Sequence, residues 1–185
     1  DNHSDQGSWL AGEIRTSLPS MYCARGLAVE AVAEYLDALP QLPLVTRVNA
    51  AMGEKGGQDT LFFVSAENAE RLMGRYRASM YGDSGQKVDV MWFAKSLSSV
   101  GKPHPDLVAM LQQIGRQDLL ERRPISMFSW GDLCMQHGLG SVDVVQLDCE
   151  GMDCAILRGL MAYCDVYPRA YPRVIQFEAN YLTAA

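Results

Sequence analysis

The chain has 185 residues, 48% hydrophobic and 21% charged, enough to bury roughly 70% of its unfolded surface in one domain and too apolar for a disordered tail. Sixteen Lys and Arg against 22 Asp and Glu leave a net charge of −6 with no dense basic cluster, which excludes a phosphate-tracking nucleic-acid surface. No run approaches the roughly 20 apolar residues of a membrane span, and no signal peptide is readable.

Arg25-Gly-Leu-Ala-Val-Glu30 opens the readable pattern as a short apolar strand ending in a carboxylate. A helical pattern follows from Val32 to Leu39 and stops at Pro40. Leu44 to Val48 reads as a second strand entering the small-residue corner Asn49-Ala50-Ala51, and the turn Gly53–Gly57 leads to a third strand, Thr60 to Val64. From Ser65 to Pro124 the signal is mixed, with helical stretches at Ala66–Tyr76 and Leu107–Leu120; this 65–124 segment is expected to be an insertion forming an acceptor pocket or lid. Ser129 to His137 reads as a helix with Ser129 as N-cap and Gly138 as its stop. Val142–Asp148 is a strand, Met152–Met161 an amphipathic helix, and Pro172–Glu178 the next strand. Strands alternating with helices predict one α/β domain with a mainly parallel sheet. The polar start and the end just after a strand suggest a fragment lacking its first, central strand and its last ones.

Five cysteines, an odd number with no C-x-x-C pair, argue against a disulfide framework and against zinc. A reducing, cytoplasmic setting is the expectation. Cys149, Cys154 and Cys164 sit in apolar runs, where a cysteine acts as a small hydrophobe.

In open α/β sheets the ligand sits outside the carboxyl ends of the strands. Acids stand at three such ends: Glu30, Asp148 with Glu150, and Glu178. Asp148 and Glu150 share one face in extended geometry, and Gly151 lets the chain turn into a helix whose first turn holds Asp153. A bare Asp-x-Glu-Gly equally describes solvated acids capping a strand and a helix. Glu30 could accept hydrogen bonds from both hydroxyls of a ribose, a device that serves dinucleotides and S-adenosylmethionine alike. No G-x-G-x-x-G or P-loop pattern occurs.

Val142-Asp-Val-Val-Gln-Leu-Asp-Cys-Glu-Gly-Met-Asp-Cys-Ala-Ile-Leu157, followed by Pro172-Arg-Val-Ile-Gln-Phe-Glu178, resembles the FkbM family of S-adenosylmethionine-dependent methyltransferases. That family carries an apolar strand ending in D-x-E-G-x-D/E, a helix with I/V-L, and a P-x-x-I-x-F-E strand. Ala28–Glu34 resembles its acidic second-strand segment, Val48–Gly53 its third-strand corner, and Trp92–Val100 with His104-Pro105 the W…S-S…H-P stretch of one branch of it. The resemblance runs from about Leu27 to Leu182. It implies a Rossmann-like class I methyltransferase sheet with flanking helices, and methyl transfer to a hydroxyl on a small molecule or sugar.

On that resemblance Glu30 and Ala31 would hold the cofactor's ribose, and Asn49, Ala50 and Ala51 would border the adenine. Asp1 through Gly7, with Asn2 and Gly7 as binding residues, would be the remnant of the glycine-rich first motif near the methionine end. Asp148 would lie nearest the transferring methyl, Glu150 would assist it or bind acceptor hydroxyls, and His104 is a second candidate for the base. Asp148, Glu150 and Glu178 could instead share Mg²⁺, a reading held below the metal-free one. Two other functions stay open: a degenerate, non-catalytic methyltransferase-like binding module, and a nicotinamide-dependent oxidoreductase.

Overall fold

The computed structural model describes residues 25–75, 80–81, 87–88, 96–149 and 151–177, and the chain divides into two compact units between Asn49 and Ala50. In the first unit, β1 (Gly26–Glu30) and β2 (Val45–Asn49) lie parallel in a register running from Gly26↔Val45 to Glu30↔Asn49, joined through α1 (Ala33–Ala38). The helix is short for a local reason. Leu39 precedes Pro40, whose ring disfavours helical backbone in its neighbour, and Leu39 is extended at φ −64°, ψ 144°. The freed Leu39 carbonyl accepts from the Arg47 guanidinium of β2.

The second unit continues with β3 (Ala51–Met52), β4 (Gly57–Phe63), α2 (Ala66–Arg75), the pair β5 (Met80–Tyr81) and β6 (Lys87–Val88), and β7 (Ser99–Val100). Then follow α3 (Pro105–Gln113), β8 (Glu121–Phe128), α4 (Trp130–His137), β9 (Val144–Gln146), α5 (Asp153–Val166) and β10 (Val174–Gln176). Four strands form one sheet in the order β3-β8-β4-β7, while β9 and β10 form a separate parallel pair.

Parallel pairing is therefore found at β1/β2, β3/β8 and β9/β10, but the largest sheet is mixed. Its long ladder, β4 against β8, is antiparallel from Gly57↔Met127 to Phe63↔Glu121. This corrects the expectation of a mainly parallel sheet. The mixed signal up to Pro124 gives no strand at Glu121–Phe128, whose first half, Glu-Arg-Arg-Pro, carries charge and a proline. The structure accommodates both. Arg122 lies over the Phe62 ring at 5.7 Å and Arg123 over Phe63 at 4.6 Å, so their cations rest on aromatic faces of the partner strand. Pro124 has no N–H to give, and it falls where only β4 flanks β8, since β3 pairs with Met127 and Phe128 alone. The 65–124 segment thus supplies β7 and half of β8 to the sheet, and its expected boundary falls inside a strand.

Local signals fared better. Ser129 caps α4 through its hydroxyl, Asp132 answers at the Ser129 backbone, and Gly138 closes the helix at φ 63°. In α5, Ile156, Leu160 and Cys164 recur every four residues and are fully buried with Trp130, Val145 and Leu147 in one cluster. A second cluster gathers Val64 and Ala69 with Leu107, Met110 and Leu111 of α3. No helix among the described residues is long and apolar enough to cross a membrane.

Candidate functional site

In the first unit the acid at the end of β1 is held in a defined corner. The chain turns from strand to helix over Ala31 and Val32, which would leave the Glu30 and Ala31 carbonyls without strand partners. Asn49, opposite Glu30 in the parallel register, donates from Nδ2 to both, at 2.9 Å each. The Glu30 carboxylate folds back so that Oε1 accepts the Val32 N–H at 2.7 Å. Burial raises the Glu30 pKa above the usual carboxylate value, and the backbone N–H groups of Val32 and Ala31 only partly oppose that rise. A half-buried carboxylate with a raised pKa gains from any further donor. Paired hydroxyls of a ribose would fit that need through Oε2.

The amide of Asn49, expected beside an adenine, is thus engaged in holding the corner. Ala50 and Ala51 begin the second unit and are buried, at 1% and 6% exposure.

In the second unit the chain turns back on itself after β9, between Cys149 and Met152. The Met152 N–H returns to the Cys149 carbonyl at 3.0 Å, with Gly151 at φ 93°, a left-handed position where a side chain would be strained. Asp153, in the first turn of α5, is 3% exposed and is the one buried charged residue among those described. Its Oδ2 accepts the Cys149 N–H at 3.3 Å, so the carboxylate latches the turn to the helix start, while Oδ1 is buried without a partner. Sequence reading noticed Asp153 only as a favourable charge at a helix N-terminus; its latch needs the Gly151 turn to bring it back to Cys149. Asp148, two residues past the end of β9, is exposed to solvent.

His104 is the N-cap of α3. Its Nδ1 accepts the Asp106 N–H at 3.3 Å, and Pro105 takes the first helical position. That placement explains His-Pro as a helix-start signal. Trp130 lies in the buried cluster at 6% exposure. Among the cysteines, burial pushes the Cys134 and Cys164 thiols up, the behaviour of packed, unreactive groups. Asn2, Gly7, Trp92, Glu150 and Glu178 lie outside the described residues. No cluster of three or more His, Cys, Asp or Glu able to hold a metal ion occurs among the described residues.

One residue that the sequence reading passed over is Asp132. Its Oδ2 accepts both the Ser129 N–H, at 2.9 Å, and the Ser129 hydroxyl, at 2.6 Å. These bonds hold its carboxyl below the usual range. The S-x-x-D spacing was the available signal. Comparison with known proteins adds no relative: no protein-family model, curated protein or solved structure matches this chain.

Proposed function

We propose that the chain is a Rossmann-like S-adenosylmethionine-dependent methyltransferase domain acting on a hydroxyl oxygen. The reading rests on the resemblance of Val142–Leu157 and Pro172–Glu178 to the FkbM pattern. The observation that supports it is the Gly151 turn, which accounts physically for the glycine after two acids and follows Asp148, two residues beyond the parallel strand β9. Glu30, at the end of another parallel strand, is the second support.

S-adenosylmethionine, when bound, would supply an electrophilic methyl group, whose bond to sulfur breaks as the acceptor oxygen bonds to carbon, leaving a neutral thioether. The chain's own task is then alignment and proton removal. Glu30 would be the residue to accept the ribose hydroxyls, and its carboxylate is already oriented because Oε1 accepts the Val32 N–H. Asp148 takes the proton of the acceptor hydroxyl, a contribution of about 10²–10⁴-fold for a well-placed base. Asp153 fixes the backbone from which that base projects. Glu150 binds further acceptor hydroxyls, and His104 is the alternative base.

Calorimetric titration of S-adenosylmethionine, and separately of NAD, into this chain tests the proposal. Selective binding of S-adenosylmethionine, weakened in Glu30→Ala, is expected. Selective binding of NAD would replace the reading by a nicotinamide-dependent oxidoreductase, and binding of neither would favour a non-catalytic module.

A further inference from the structure

The second unit contains a cleft that the methyl-transfer reading does not use. It is an open, shallow cleft of about 560 Å³ between the Gly56-Gly57 end of β4, the last residues of β8, and α4. That is the size range of small-molecule sites, about 300–1,000 Å³. Its polar lining is Gln58, Ser126, Asp132 and Gln136, with Met135 beside them.

Each of these groups is held or presented in a definite way. Gln58 donates from Nε2 to the Ser126 hydroxyl at 3.0 Å across the β4/β8 ladder, which fixes the amide and leaves Oε1 as an acceptor. Asp132 is fixed by Ser129 through Oδ2, so Oδ1 is its remaining acceptor. Gly56 makes that wall close-fitting: a Cβ there would stand 2.2 Å from Asp132 Oδ2. Gln136 is exposed on α4 and offers both a donor and an acceptor, and Met135 is 76% exposed, a large apolar side chain left in water.

The charge pattern selects the ligand. No Lys, Arg or His lines the cleft, and the one ionisable group, Asp132, is held ionised by Ser129. Phosphates and carboxylates are therefore repelled. Fixed acceptors, an adaptable amide and an apolar platform match a molecule whose hydroxyls each donate and accept and whose C–H face is apolar. We propose that this cleft binds a neutral polyhydroxylated ligand, a sugar ring or cyclic polyol. The inference goes beyond the methyl-transfer reading and does not depend on it, because it concerns binding in the absence of cofactor.

The test is ligand-observed NMR titration of the full chain with a neutral methyl hexoside and with inositol, using inorganic phosphate and tetramethylammonium as charged probes. Saturable binding of a neutral probe is expected, on the order of 1 mM for a ligand of this size in an open cleft. Neither charged probe should compete. Gln136→Ala and Gln58→Leu should each weaken binding about three- to tenfold, the loss of one hydrogen bond, with thermal unfolding of the Gln136→Ala variant unchanged. Absence of saturable binding by both neutral probes, stronger binding of either charged probe, or undiminished affinity in both variants would each overturn the proposal. These readouts need no methyl donor, so they separate failure of this inference from failure of the methyltransferase reading.

Discussion

Asn49→Asp is the sharpest probe of the corner that holds Glu30. The two side chains have nearly the same shape, but the substitution replaces the Nδ2 donor by a carboxylate oxygen facing two carbonyl oxygens now 2.9 Å from that donor. Each of the lost hydrogen bonds contributes about 0.5–1.5 kcal/mol net. Asn49 is exposed, so water replaces part of the loss and the lower half of the summed range applies, about 1–2 kcal/mol. The introduced charge adds repulsion against the carbonyls and against Glu30 of the same corner. Asn49→Ala lacks that repulsion and should lose only the lower figure, about 1 kcal/mol. Urea denaturation of the three proteins at neutral pH and near pH 4 gives the comparison. The expected order is wild type, then Asn49→Ala, then Asn49→Asp, with the last two converging in acid as the introduced carboxyl takes up a proton and can donate again. Equal stability of Asn49→Asp and wild type at neutral pH would show that the two bonds do not hold the corner.

Four further outcomes are expected. Burial raises the Glu30 pKa in the folded state, so its protonated form favours folding below the unfolded value of 4.5 and that advantage is lost as pH rises through the folded pKa; Glu30→Gln should therefore unfold at higher temperature than wild type at neutral pH, the difference vanishing below about pH 4.5 in a thermal scan series. Leu160→Ala, at a fully buried position in α5, should cost about 2–5 kcal/mol by denaturant midpoint, and a loss under about 1 kcal/mol would contradict its place in the core. Gly56→Ala drives a Cβ into the Asp132 carboxylate and disturbs the α4 cap, an expected loss of about 1–3 kcal/mol read by thermal unfolding, whereas Gly140→Ala, with open space around its Cβ position, should be close to neutral. On the methyltransferase reading, Asp148→Asn should lower turnover far more than S-adenosylmethionine affinity, and equal losses in both would assign Asp148 a structural role.

The sequence alone determined what depends on neighbours along the chain. Pro40 ended a helix, Ser129 and Gly138 bounded one, and the spacing of Ile156 and Leu160 marked a buried face, because each effect acts within a turn or two of backbone, whereas the helix's run on to Cys164 and Val166 came from the structure. Glu30 at the end of β1 was legible for the same reason, whereas β9 stops at Gln146, two residues short of the expected strand end at Asp148. Tertiary structure decided the partners. Nothing in Glu-Arg-Arg-Pro names β4 as the strand it joins, for Arg122 and Arg123 become strand residues only once Phe62 and Phe63 lie beneath them. Asn68 of α2 meets Glu121 of β8 at 2.8 Å across 53 residues, and Asn49 reaches back 19 residues to close the corner at Glu30. Local periodicity records which face of an element is apolar, but hydrogen-bond partners and the burial that raises the Glu30 pKa belong to surfaces that exist only after distant segments have met.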